Sequence, residues 1–97
     1  MARLSNEQIA SALDTLQDWE REGDMIVRTI RFPDFMDGVR FVNRVAELAE
    51  AADHHPDIDI RYRNVRLALT SHDEAGLTER DVNLAKQIDE ALSGGRR

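Results

Sequence analysis

Ninety-seven residues allow one compact domain with one small core, and a composition 41% hydrophobic and 33% charged suits an α or α+β fold rather than disorder. The net charge of −6 offers no basic field to phosphate backbones or anionic lipid, so nucleic acid and membrane surfaces are not expected partners. With no cysteine there is no disulfide framework, no thiolate nucleophile and no Cys-type zinc site. No charged start precedes an apolar signal core and no apolar run could span a bilayer, which makes the cytosol the expected compartment.

The first segment, LSNEQIASALDTL, offers Ser5 as N-cap, Gln8 as its capping-box partner and a Leu4–Ile9 staple, and predicts a helix from about Asn6 to Leu16. In DWEREGDMIVRTIRF, Gly23-Asp24 separates two short segments, and Ile26 and Ile30 fall on even positions, the pattern of a hairpin. Asp34 after Pro33 caps a long helix in which Phe35, Val39, Val42, Ala46 and Ala49 recur at helical spacing. Phe41, Val45, Leu48 and Ala52 widen that stripe beyond what one small sheet covers, which suggests a second packing partner. Gly38 weakens its first turns, and Pro56 stops it near Asp53.

Beyond Pro56, Ile58, Ile60 and Tyr62 alternate with polar residues, as do Val65, Leu67 and Leu69, giving two strands that each have one buried face. An Arg63-Asn64 turn would pair Tyr62 with Val65, Ile60 with Leu67 and Ile58 with Leu69. That register sets Arg61 against Arg66, a like-charge pair. Thr78 then caps a closing helix with Asp81 at its third position and a Leu77–Val82 staple, ending at Gly94-Gly95 before an Arg96-Arg97 tail. The expected fold is α+β: a four-stranded antiparallel sheet with three helices on one face, in the order α-β-β-α-β-β-α. It forms a single domain over 1–97, with an ordered core of about 5–93 and a flexible tail at 94–97.

The chain's three histidines stand out against this frame. Extended through the same register, His55 faces His72, so His54, His55 and His72 would converge at the hairpin's open end. Glu50 lies one helical turn before His54, close enough to partner it. Two histidines and a carboxylate around a pocket form a set for general acid–base chemistry. Taken singly, a histidine at a helix end commonly caps carbonyls, His55 could be an exposed turn residue, and His72 reads as a loop residue. Packing does not call for their convergence. A zinc site of Glu50, His54, His55 and His72 is the less favoured alternative, because adjacent His54 and His55 would struggle to face one ion. Asp81 alone reads as the acidic member of the Thr78 capping box, and Trp19 as a core or pocket-wall aromatic.

Glu50-x-x-x-His54-His55-Pro56, followed by Tyr62, His72 and Asp81, resembles the signature of the pterin-4a-carbinolamine dehydratases. Trp19, RFPDF and AGLTERD followed by NLA extend the resemblance from about Ser5 to Leu92. It implies dehydration of 4a-hydroxytetrahydropterin, the product left by aromatic amino acid hydroxylases, to quinonoid dihydropterin, with no metal or organic cofactor. It also implies a homodimer or homotetramer built through sheet edges and the long helix. By position, His54 and His72 would be the acid–base pair, His55 would orient the pterin, and Glu50 would tune His54 or contact the substrate. Pro56, Ser71, Asp73 and Glu74 would line the pocket. Ile58 stands where many relatives carry an aromatic, so a stacking surface is either missing or supplied by Trp19. A different class of function, a non-catalytic interaction module docking partners on the long helix around Val39 and Val42, uses the same fold.

Overall fold

A computed structural model describes residues 3–94. The elements run α1 (Asn6–Asp14), β1 (Glu20–Glu22), β2 (Met25–Arg31), α2 (Phe35–Ala52), β3 (Asp57–Arg61), β4 (Asn64–Leu69), a 3₁₀ turn (His72–Glu74) and α3 (Glu79–Gly94). The four strands form one antiparallel sheet in the order β1-β2-β4-β3, which is the predicted architecture. No helix among the described residues is long and apolar enough to cross a membrane. The Gly95 stop and the arginine tail fall outside the described residues.

Local chemistry sets the helix ends. Ser5 accepts from the Gln8 backbone N–H at 3.1 Å while the Gln8 side chain accepts from the Ser5 N–H at 2.8 Å, completing the capping box. Asp34 accepts from the Asp37 N–H at 2.8 Å and starts α2, whose buried residues Gly38, Phe41, Val45 and Ala49 follow helical spacing. The helix stops at Asp53, which adopts a left-handed conformation with φ 51° and donates its N–H back to Glu50 at 3.2 Å.

Between α2, α3 and the sheet, Ile26, Ile30, Val65, Leu67 and Leu69 meet Phe41, Val45, Leu84 and Ile88 in one core. Trp19 belongs to this core. Its indole N–H donates to Asp89 of α3 at 2.8 Å, and Asp89 also accepts from Arg28 at 2.6 Å.

The β3–β4 hairpin departs from the predicted register by two residues. Ile60 pairs with Val65 and Ile58 with Leu67, and the turn is Tyr62-Arg63 rather than Arg63-Asn64. Two features account for the shift. The observed pairing sets Asp59 opposite Arg66, removing the like-charge clash of Arg61 with Arg66. Arg63 is also tied to the end of β2, its carbonyl accepting from the Phe32 N–H at 2.9 Å and its guanidinium donating to the Pro33 carbonyl at 3.1 Å. The cost falls on Tyr62, held at φ 54°. Nor does β3 bury a full face: as an edge strand beyond the helices' cover, it leaves Ile58 and Ile60 more than a third exposed and Tyr62 69% exposed.

Candidate active site

The C-terminus of α2, the loop after β4 and the N-terminus of α3 are tied together through His54, Ser71 and Asp81. After the left-handed turn at Asp53, His54 points inward and Pro56 leads the chain into β3. His54 Nε2 lies 2.6 Å from Asp81 Oδ1, with His54 8% exposed and Asp81 fully buried. The second oxygen, Asp81 Oδ2, accepts from the Thr78 backbone N–H at 2.9 Å and from the Ser71 hydroxyl at 2.8 Å. The capping reading of Asp81 therefore describes one of its two oxygens. The other was free to reach a histidine, a use that the Thr-x-x-Asp spacing alone could not reveal.

The shifted hairpin register means that His55 and His72 are not strand partners. His72 stands instead in the loop after β4. Ser71 and Gly76 exchange backbone hydrogen bonds of 3.0 and 3.3 Å and close a tight loop, in which Ala75 takes φ 55° and His72 starts the 3₁₀ turn. The Leu4 N–H donates to the Leu77 carbonyl at 2.8 Å and pins the chain start to this loop. Exposed His72 follows Ser71, whose hydroxyl donates to the carboxylate that holds His54.

Glu50 partners His55 rather than His54: Glu50 Oε2 and His55 Nε2 are 2.6 Å apart on the surface. The one-turn spacing assumed a helix running through His54, whereas the left-handed residue at 53 turns His54 inward and lays His55 over Glu50. Pro56 is half-buried beside them. Asp73 is exposed and accepts from Arg80 Nη2 at 2.6 Å, a hydrogen bond that holds its carboxyl below the usual value of 3.8. Glu74 is half-buried in the same loop.

Arg80 was not visible as a site residue in the sequence. Its Nε is buried with no hydrogen-bond partner among the described residues.

Two expected lining residues, Ser71 and Trp19, and the motif residue Tyr62 stand elsewhere. Ser71 is fully buried and acts from behind the site, through Asp81. Trp19 is 3% exposed and bound to Asp89, eight residues and about 12 Å along α3 from Asp81, so it supplies no stacking surface here. Tyr62 occupies the hairpin turn at the far end of β3. Among the described residues no three histidine or carboxylate side chains gather to hold a metal ion, the pairs His54–Asp81 and His55–Glu50 facing apart in burial and partner. A cleft of about 710 Å³ floored by Phe32 and Phe41 lies at the opposite end of α2, away from the histidines.

The fold and cluster define an α+β domain with a histidine-bearing loop at one end of its sheet. Residues 2–91 match the family described as pterin 4 alpha carbinolamine dehydratase. A protein of Thermomicrobium roseum provisionally named pterin-4-alpha-carbinolamine dehydratase is 55% identical over 96% of this chain and 100% of its own. One from Chloroflexus aurantiacus with the same provisional name is 56% identical over 95% and 99%. The crystal structure of a "transcriptional coactivator/pterin dehydratase" from Brucella melitensis superposes with a TM-score of 0.89 at 33% identity, covering 95% of this chain and 99% of that one. A pterin dehydratase-like RuBisCO assembly factor of the alpha-carboxysome, 23% identical with a TM-score of 0.63 over 78% of this chain, shares the fold. This chain belongs to the pterin 4 alpha carbinolamine dehydratase family.

Proposed function

We propose that the protein dehydrates a 4a-hydroxytetrahydropterin to quinonoid dihydropterin and water, returning the pterin spent by aromatic amino acid hydroxylases, with His54 and His72 as the acid–base pair. Family membership supports the substrate class, and the buried His54–Asp81 contact of 2.6 Å carries the assignment of His54. A fully buried carboxylate aimed at one ring nitrogen orients the imidazole and leaves its other nitrogen for chemistry. The reaction asks for two proton transfers. The C4a–O bond breaks as one histidine protonates the departing hydroxyl to water, while the neighbouring ring nitrogen forms the C=N bond and gives its proton to the other. No oxidation state changes, so these transfers balance the step.

On this reading His55, held by Glu50 at the rim, and Pro56 position the ring, and the loop carrying Asp73 and Glu74 closes one side. Each single substitution, His54→Ala and His72→Ala, is expected to lower kcat by about a hundredfold or more, read against the uncatalysed rate. Rates unchanged in both would overturn the assignment.

A second reading, docking of another protein on the long helix, is favoured by the exposure of Phe35 and Met36 at the start of α2, 46% and 51%. Binding abolished by Val39→Asp or Val42→Asp yet indifferent to the histidine substitutions would mark that role, which can coexist with dehydration.

A further inference from the structure

Behind the histidines lies a chain of buried hydroxyls that the proposed reaction does not itself use. Ser71, Thr78 and Asp81 are all fully buried. The contacts run from the Arg80 backbone N–H to Thr78 Oγ1 at 3.2 Å, between Thr78 Oγ1 and Ser71 Oγ at 2.8 Å, and from Ser71 Oγ to Asp81 Oδ2 at 2.8 Å.

Counting protons fixes the direction. A hydroxyl has one proton to give, and Ser71 gives its own to Asp81, so in the 2.8 Å contact Thr78 must be the donor and Ser71 the acceptor. Thr78 in turn accepts from Arg80. Every donor therefore points toward the carboxylate, whose Oδ2 takes two of them. A carboxylate held as an acceptor in this way takes a donor at Oδ1 as well, and among the described residues the atom bonded there is His54 Nε2.

We infer that Ser71 and Thr78 are positioning residues that lock the neutral His54 ring with its proton on Nε2, so that Nδ1 is the nitrogen meeting the substrate. They touch no substrate themselves: both are closed off from solvent, and their effect passes through Asp81. The inference rests on the dehydratase reading for its catalytic consequence, but not for the tautomer.

The test reads both. Ring ¹⁵N shifts of His54, followed by NMR to their high-pH plateau, report which nitrogen carries the proton. They are compared in wild type, Ser71→Ala, Thr78→Val and the hydroxyl-keeping Ser71→Thr and Thr78→Ser, alongside kcat and KM for carbinolamine dehydration. Wild type and the hydroxyl-keeping variants are expected to show the proton on Nε2. Ser71→Ala and Thr78→Val should mix the tautomers and lower kcat about tenfold, with KM changed less than about twofold.

A wild-type proton on Nδ1 overturns the inference without any variant. So does an unchanged tautomer and kcat in both Ser71→Ala and Thr78→Val. Should Ser71→Ala fail to fold, Thr78→Val and the wild-type spectrum decide. If the wild type does not accelerate dehydration, the functional reading fails, and the ring shifts alone judge the positioning.

Discussion

Asp81 serves two structures at once, capping α3 with one oxygen and holding His54 with the other. Asp81→Asn separates these duties. Its amide oxygen can still accept from Thr78 and Ser71, which turns the amide NH₂ toward His54 Nε2, and two donors cannot share that contact. The ring must take the other tautomer, so dehydration is expected to fall by roughly a hundredfold or more while the fold is kept, checked by kcat and circular dichroism. Asp81→Ala removes the cap and leaves buried partners unsatisfied, at a cost on the order of 3 kcal/mol in denaturant unfolding. The Arg80–Asp73 pair gives a pH-dependent prediction. A carboxyl depressed below 3.8 in the fold adds stability above its unfolded value, and that contribution is lost as pH falls through the folded value. The stability gap between wild type and Arg80→Gln should therefore be full at neutral pH and shrink below about pH 3.8; a gap that widens there would contradict the pairing. Residue types and spacing singled out His54, His55, His72 and Glu50 as candidates in the sequence. Which carboxylate serves which histidine was not, because one left-handed residue, Asp53, redirects both rings.

Capping and periodicity placed the three α-helices and the four strands, since Ser5-Gln8, Asp34 and the alternating Val65, Leu67 and Leu69 are short-range signals that need no knowledge of the rest of the chain. The β3–β4 register needed long-range information. Arg63 is fixed by Phe32 and Pro33, thirty residues away, and those bonds outweigh the preference of Asn for the turn. Tyr62 bears the resulting strain, so Tyr62→Gly is expected to raise stability by about 1 kcal/mol without altering dehydration, measured by thermal unfolding and kcat. Gly38 offers a second gain. It lies inside α2, and a Cβ there would meet Val65 and Phe32 at 3.4 and 3.5 Å, ordinary contact distances. Gly38→Ala should stabilise by about 0.5–1 kcal/mol, and destabilisation would show that those neighbours cannot accommodate a methyl.

Across the whole molecule, the sheet order β1-β2-β4-β3 leaves β3 at an edge, and the helices leave Ile58, Ile60, Phe35 and Met36 uncovered. The width of the α2 stripe already suggested a further packing partner, whereas the bareness of β3 could not be read from alternation, which reports a face and not what covers it. Self-association is the expected use of these surfaces, in keeping with the dimer or tetramer that the family resemblance implies. The histidines sit at the other end of the scale: a few side chains whose geometry the whole fold serves to hold, since α2, the loop after β4 and α3 each contribute one part. The most direct test of that claim is absorbance-monitored dehydration of freshly generated 4a-hydroxytetrahydropterin by chelator-treated wild-type protein beside the double variant His54→Ala/His72→Ala. Acceleration by the wild type alone is the predicted result; equal rates from the two proteins, whether fast or at the spontaneous level, would contradict a histidine-dependent dehydratase.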